Sequence, residues 1–363
     1  MLDTGGAAGE DLGSPVVHVP VSSSSHPESP AVLVTGGAGF IGSRLVRQLL
    51  EQRLPWRVMV VDDLSTGRAE RVDPRADFAR ADVSHPGVLS ELVQRHGPFD
   101  RIVHLAGRVG VRRVLADPEG CRSLQEAAAR EVERAVASQP QGFRPRVLAA
   151  STSEVYSDSR EALSEESTLR QTGGSGRWAY AGSKLAGEMI LDGDGSLWGK
   201  DESPIHLRFF NVVGPGQDGA GGQVLPTFVD QALAGEALTV HGDGQQVRTF
   251  GHVDDIVRAL SWLLGQGSSF PGGPLNLGGT ARVRIQELAE RVVRLCDSSS
   301  RIQSVDPRLH SASFEEVRHR EPSLERARGL GVPLASRELD SIIGDVIRER
   351  SQRRPDVARL RVS

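Results

Sequence analysis

The chain of 363 residues has only two cysteines, Cys121 and Cys296, far apart in sequence. That excludes a disulfide framework and points to a reducing compartment, so a cytoplasmic protein is the expectation. No apolar run approaches the length needed to cross a bilayer. Neither sign of charge dominates: Lys+Arg total 43 against 47 Asp+Glu, and the basic residues are scattered. Neither nucleic acid nor a membrane is therefore expected as a partner. The first thirty residues lack a basic start followed by an apolar stretch and are rich in Gly, Ser and Pro, so residues 1–30 read as a disordered leader rather than a signal peptide. Internal repeats are missing as well. The length suits one elaborated domain or two packed ones.

What is present is organised around Ala31 to Ser43, AVLVTGGAGFIGS. Ala31-Val32-Leu33-Val34 reads as a buried parallel strand, because it is β-branched and shows no polar alternation. It runs into Gly36, Gly37, Gly39 and Gly42, then into a helix whose apolar positions Leu45, Val46, Leu49 and Leu50 recur at helical spacing. Strand, glycine turn and helix in that order form a dinucleotide-binding fingerprint. Glycines let backbone N–H groups approach a pyrophosphate, and the helix N-terminus offers unpaired donors and a positive dipole end. A second strand, Arg57 to Val61, ends at Asp62, about 20 residues past the last glycine, where a carboxylate accepts the adenosine ribose hydroxyls. A carboxylate there repels the extra phosphate of NADP, so NAD is the expected cofactor.

Further strands are expected at Asp77–Val83, with Asp82 and Val83 contacting adenine, at Arg101–Ala106, at Arg146–Ala150, at Ile205–Phe209 and at Leu275–Leu277. Helices are expected at Val88–Arg95, Leu124–Val136, Val224–Ala234, Val253–Leu264, Ile285–Leu295 and Leu339–Arg350, with a short strand at Leu238–His241. His104 lies inside an apolar strand and reads as a packed core residue. The small Ala106-Gly107 end lets a cofactor lie against the backbone. Alternating strands and helices imply a parallel sheet covered on both faces, with ligands at the carboxyl ends of its strands. The fifth strand delivers Ser151-Thr152-Ser153-Glu154-Val155-Tyr156 to that edge. Tyr180 and Lys184, four apart, share one helix face. A phenol is a poor base at neutral pH, and a neighbouring ammonium favours its phenolate.

These motifs together resemble the extended short-chain dehydrogenase/reductase superfamily, in particular its NAD-dependent sugar-nucleotide epimerases, dehydratases and decarboxylases. The matching stretches are TGGAGFIGS at Thr35, VVDDLSTG at Val60, HLAG at His104, the Ser151–Tyr156 run, YAGSK at Tyr180, RFFNVVGPGQ at Arg208 and GDGQQVRTFGHVDDIV at Gly242. They span about Ala31 to Arg350. The resemblance implies an α/β Rossmann fold, a doubly wound parallel sheet, with a smaller C-terminal α/β substrate domain. The implied boundaries are a leader at 1–30 and an NAD-binding domain at 31–210 with a return segment at 252–280. A sugar-nucleotide domain would take 211–251 and 281–350, with a flexible tail at 351–363. Cofactor contacts are then expected from Gly36, Gly39, Phe40, Ile41, Gly42, Asp62, Asp63, Ser65, Thr66, Gly67, Asp82, Val83, Leu105, Ala106 and Gly107, with Tyr180 and Lys184. Substrate contacts are expected from Arg108, Asn211, Val224 and Arg248. No metal is expected. The partners implied are a UDP-sugar and a second copy of the chain, a homodimer through the two long helices of the first domain.

Members of this superfamily differ chiefly at Thr152-Ser153-Glu154. Ser-Glu resembles UDP-glucuronate decarboxylases and also GDP-mannose 4,6-dehydratases, and Asp62 suits the NAD preference of the former. The expected catalytic set is Thr152, Ser153, Glu154, Tyr180 and Lys184. Oxidising the 4-hydroxyl of a glucuronate gives a β-keto acid that loses carbon dioxide as an enolate. A 4-epimerase or a 4,6-dehydratase is the alternative, and a non-catalytic NAD-binding regulator a third. Five positions depart from the family pattern: Gln125, Ala128 and Ala129 replace an Asn-x-x-Gly-Thr, Ser157 replaces a glycine, and Gly107 replaces an alanine.

Overall fold

The computed structural model describes residues 17–19, 29–108, 110, 114, 116–171, 178–193, 195–198, 203–219, 222–267, 270–306, 317–334 and 337–353. Its main sheet holds β1 (Val17–Val19), β2 (Ala31–Thr35), β3 (Arg57–Asp62), β4 (Asp77–Arg80), β5 (Arg101–His104), β6 (Arg146–Thr152), β7 (Ile205–Phe210) and β8 (Gly273–Gly278). The strand order is β1-β4-β3-β2-β5-β6-β7-β8. From β4 to β8 every pairing is parallel, with Val34 opposite Val60, Thr35 opposite His104 and Thr152 opposite Phe209. The order reverses between β2 and β5, the switch point where ligands bind in such sheets.

Every residue of β2 is buried, and the two-residue period of the strand sorts them between two cores. Val32 and Val34 face α1 (Gly42–Leu50) and α6 (Val253–Leu264), while Ala31 and Leu33 face α2 (Val88–His96) and α3 (Pro118–Ala137). The second face is completed by Leu191 of α4 (Ala179–Asp192). A third core gathers α5 (Val224–Ala234), α7 (Ile285–Leu295) and α8 (Leu339–Arg353) around Leu238 and Val240. Short strands border it: Leu238–His241 pairs with Ile302–Val305, and Val247–Thr249 lies between Arg282–Arg284 and His319–Arg320.

Four details correct the sequence reading. Val17–Val19, inside the stretch read as disordered, pairs antiparallel with β4; the preceding residues and 20–28 lie outside the described residues. Helix α3 starts at Pro118, not near Leu124, because the Asp117 carboxylate accepts the Gly120 N–H and proline occupies the first turn. β4 stops at Arg80, so Asp82 and Val83 sit in the turn beyond, where Asp82 accepts the Ser84 N–H. Helix α8 continues to Arg353, into the expected tail. Residues 172–177, which lead into α4, lie outside the described residues.

Candidate active site

The glycine turn closes the switch point sterically. Gly36 has φ +72°, and a Cβ on it would stand 2.7 Å from Ala106 N and 2.8 Å from Leu105 C. A Cβ on Gly42 would stand 2.2 Å from Gly36 O. Backbone from β2 and from the end of β5 therefore meets at a distance only glycine allows. Gly39 N donates to Gly36 O, Phe40 and Ile41 pack on the first core, and α1 begins at Gly42. Below the turn, Thr35 Oγ1 lies 2.9 Å from His104 Nδ1 and accepts the Ala106 N–H, tying β2 to β5. His104 is buried, and burial followed by the Lys184 charge pushes it down to about 3, so it is a neutral core residue.

Asp62 ends β3 almost wholly buried. One of its oxygens accepts the Ala38 N–H at 3.0 Å and the other the Leu64 N–H at 2.9 Å. Burial raises its pKa against these bonds. Each oxygen keeps a lone pair for a ribose hydroxyl. Gly67 abuts this carboxylate, and Asp63 accepts from Ser65, with Ser65 and Thr66 exposed. A backbone cradle with no room for a side chain, followed by a buried carboxylate, fits a dinucleotide.

On the opposite side of the crevice, β6 ends at Thr152 and the chain turns through a short helix, Ser153–Val155, capped by Thr152 Oγ1 accepting the Glu154 N–H. Thr152 and Ser153 are buried. Helix α4 presents Tyr180 and Lys184 one turn apart. Burial lowers Lys184 to about 8, opposed by Cys121 and Glu188. For Tyr180 the sequence expectation is corrected: its pKa is raised, by burial first and then by the Glu154 and Cys121 charges, with Arg320 acting the other way. Burial therefore favours the phenol over the phenolate, and the lowering expected from Lys184 is not found.

The residue that sequence reasoning missed is Arg320. Its Nη1 donates to Glu154 Oε1 at 2.9 Å and its Nη2 to Asn211 Oδ1 at 3.3 Å. Asn211 is itself strained at φ +29° and donates to Thr249 O. Arg248, the expected cation, lies beside Arg320 in strand register but donates to Val247 O and Val317 O. The only signal for Arg320 was its charge, since it stands on a two-residue strand 166 residues from Glu154. Of the other expected substrate residues, Val224 opens α5 half-buried and Arg108 pairs with Asp117 at 3.0 Å.

A glycine cradle at a switch point, facing a Tyr-Lys helix across the carboxyl edge of one sheet, defines a dinucleotide-dependent enzyme site. The chain belongs to the NAD dependent epimerase/dehydratase family, whose model matches residues 32–278. It is 30% identical over 312 residues to UDP-N-acetyl-alpha-D-glucosaminuronate decarboxylase of Bacillus cytotoxicus, covering 82% of this chain and 90% of that one. It is 32% identical over 312 residues to UDP-glucuronic acid decarboxylase 3 of Arabidopsis thaliana, covering 82% of each. Among solved structures, UDP-glucose 4-epimerase of Thermotoga maritima aligns with TM-score 0.78 at 24% identity over 89% of this chain and 99% of that one. The dTDP-glucose 4,6-dehydratase DesIV of Streptomyces venezuelae aligns with TM-score 0.75 at 26% identity, covering 89% and 98%. The doubly wound fold and the NAD dependence of the family agree with the sequence reading.

Proposed function

We propose that the chain decarboxylates UDP-glucuronate through a 4-keto intermediate, giving UDP-xylose or the UDP-4-keto-pentose. The observation that carries this reading is the Glu154–Arg320 pair beside Tyr180, an acid and a cation together where a sugar carboxylate has to be held and released. Its support among relatives is that both decarboxylases above are named for UDP-linked uronates.

The cradle Gly36–Gly42, Asp62 and Lys184 would hold NAD. When bound, its oxidised nicotinamide would supply the hydride acceptor and a positive charge that favours the Tyr180 phenolate. Tyr180, as phenolate, takes the proton of the 4-hydroxyl, and the Lys184 ammonium stabilises that charge. Thr152 donates to the 4-oxygen. Ser153 and Arg320 grip the carboxylate, an Arg–carboxylate contact being strong when half-buried. In the β-keto acid the bond to the carboxyl carbon breaks and its electron pair moves onto the 4-oxygen as an enolate. Glu154, freed as Arg320 turns to the substrate, relays the proton that quenches it. Asn211, Arg248, Arg108 and Val224 serve the nucleotide side.

The same proposal divides the chain as its cores do, the first two binding NAD and the third the sugar nucleotide. It also takes the enzyme as cytoplasmic, with Cys121 and Cys296 kept as thiols, and as a homodimer through α3 and α4, where Met189 is 68% exposed. No helix among the described residues is long and apolar enough to cross a membrane. The test is incubation of purified protein with NAD and UDP-glucuronate, with UDP-N-acetylglucosaminuronate in parallel, following carbon dioxide and the sugar nucleotide. Carbon dioxide with a UDP-pentose is expected. Turnover of UDP-glucose or TDP-glucose without carbon dioxide from either uronate would identify an epimerase or dehydratase instead.

A further inference from the structure

Gly107 is not a glycine for the sake of its backbone, since its φ lies outside the left-handed region. It is a glycine for space. A methyl group built on it would stand 2.2 Å from Gln125 Nε2 and 2.9 Å from Lys184 Nζ. Gln125 lies on α3, one turn beyond Cys121, and is only 4% exposed. Lys184 is 5% exposed. Two buried polar ends thus occupy the space that a side chain on residue 107 would need.

We propose that Gly107 and Gln125 are a coupled pair that positions the Lys184 ammonium. The pair rests on the reading that Lys184 serves the cofactor and Tyr180. Long side-chain ends yield more readily than backbone, so a methyl at Gly107 leaves the fold intact and displaces the amide and the ammonium. Shortening Gln125 by one methylene withdraws the amide and makes room for that methyl. The charged and titratable groups around Lys184 are His104 on β5, Cys121 on α3, and Tyr180 and Glu188 on α4. None of these changes in the substitutions below.

The experiment is a cycle of wild type, Gly107→Ala, Gln125→Asn and the double variant, read by calorimetric NAD affinity and by melting temperature. Gly107→Ala is expected to weaken NAD binding about tenfold, and the double variant to return within about threefold of wild type, with melting temperatures nearly level. A double variant as weak as Gly107→Ala, or a Gly107→Ala protein that binds NAD normally, overturns the proposal. A further variant, Gln125→Glu, keeps the test alive should Gly107→Ala not fold. A carboxylate against the ammonium raises the pH midpoint at which NAD binding weakens; an unmoved midpoint overturns the pair. NAD binding needs no sugar substrate, so this cycle stands or falls separately from the decarboxylase assignment, which carbon dioxide release alone decides.

Discussion

Two Glu–Arg pairs of the molecule, Glu188–Arg208 and Glu154–Arg320, differ in every respect except composition. Glu188 and Arg208 lie deep between α4, β6 and β7, with side chains 7% and 4% exposed. Arg208 grips both carboxylate oxygens, at 3.0 and 2.7 Å, and donates to the Tyr156 hydroxyl, which donates in turn to Asn276. Ser151 donates to Glu188, so the carboxylate is shared by strand and helix. Glu154 and Arg320 meet through one 2.9 Å bond at 21% and 14% exposure, and Arg320 Nε is buried without a hydrogen-bond partner. The first pair is closed, with its donors and acceptors matched. The second is incomplete, and an incomplete pair can exchange partners. Tying Glu188 to Arg208 one turn beyond Lys184 also holds α4 to the sheet edge that presents Ser153 and Glu154.

The largest effect should come from breaking the closed pair. Arg208→Met leaves Glu188 buried and uncompensated, and urea unfolding should show a loss of about 3–5 kcal/mol. Replacing both partners by Leu and Met should recover most of it; a double variant no better than the single would mean the pair is not the source. Breaking the open pair should separate activity from stability. Glu154→Gln is expected to lower carbon dioxide release about 100-fold, roughly 2.7 kcal/mol in the barrier, with NAD affinity and unfolding midpoint unchanged. Equal loss of NAD affinity would place Glu154 in the fold rather than the reaction.

The smallest effect extends the comparison to a buried cation whose nearby acid, Glu188, is already taken by Arg208. Burial holds Lys184 at about 8 against an ordinary 10.5. The folded chain therefore bears the cost of a buried ammonium in full below pH 8 and sheds it as pH rises toward 10.5. Lys184→Met should abolish turnover yet stabilise the fold by about 2 kcal/mol at neutral pH, the gain vanishing at high pH in denaturation curves. A loss of stability at neutral pH would show that polar contacts of the ammonium outweigh its burial.

Local pattern made much of this architecture readable. Val224–Ala234, Val253–Leu264 and Ile285–Leu295 have the bounds their periodicity and flanking residues suggest, because helix signals lie within the helix itself. The placement of the glycine turn and of Asp62 at the end of β3 was equally legible, being encoded at fixed offsets. Arg320 was not. Its site is assembled by pairing a two-residue strand with Val247–Thr249, and no periodicity survives over so short a span. The same limit hid the direction of the Tyr180 shift. Spacing puts Lys184 on the right face, but burial and the Glu154 charge, both tertiary, decide the proton. Gly107 and Gln125 read separately as departures from a pattern, and only the folded chain brings them together.

The bond between Thr35 and His104 has a consequence for kinetics. An imidazole that bridges the crossover of the sheet would ordinarily be the first suspect for any titration seen between pH 5 and 8. Held down to about 3, His104 is silent throughout that window. The seam between β2 and β5 thus keeps one protonation state while the environment changes around it. An inflection in the pH–rate profile in that interval therefore comes from a group other than His104.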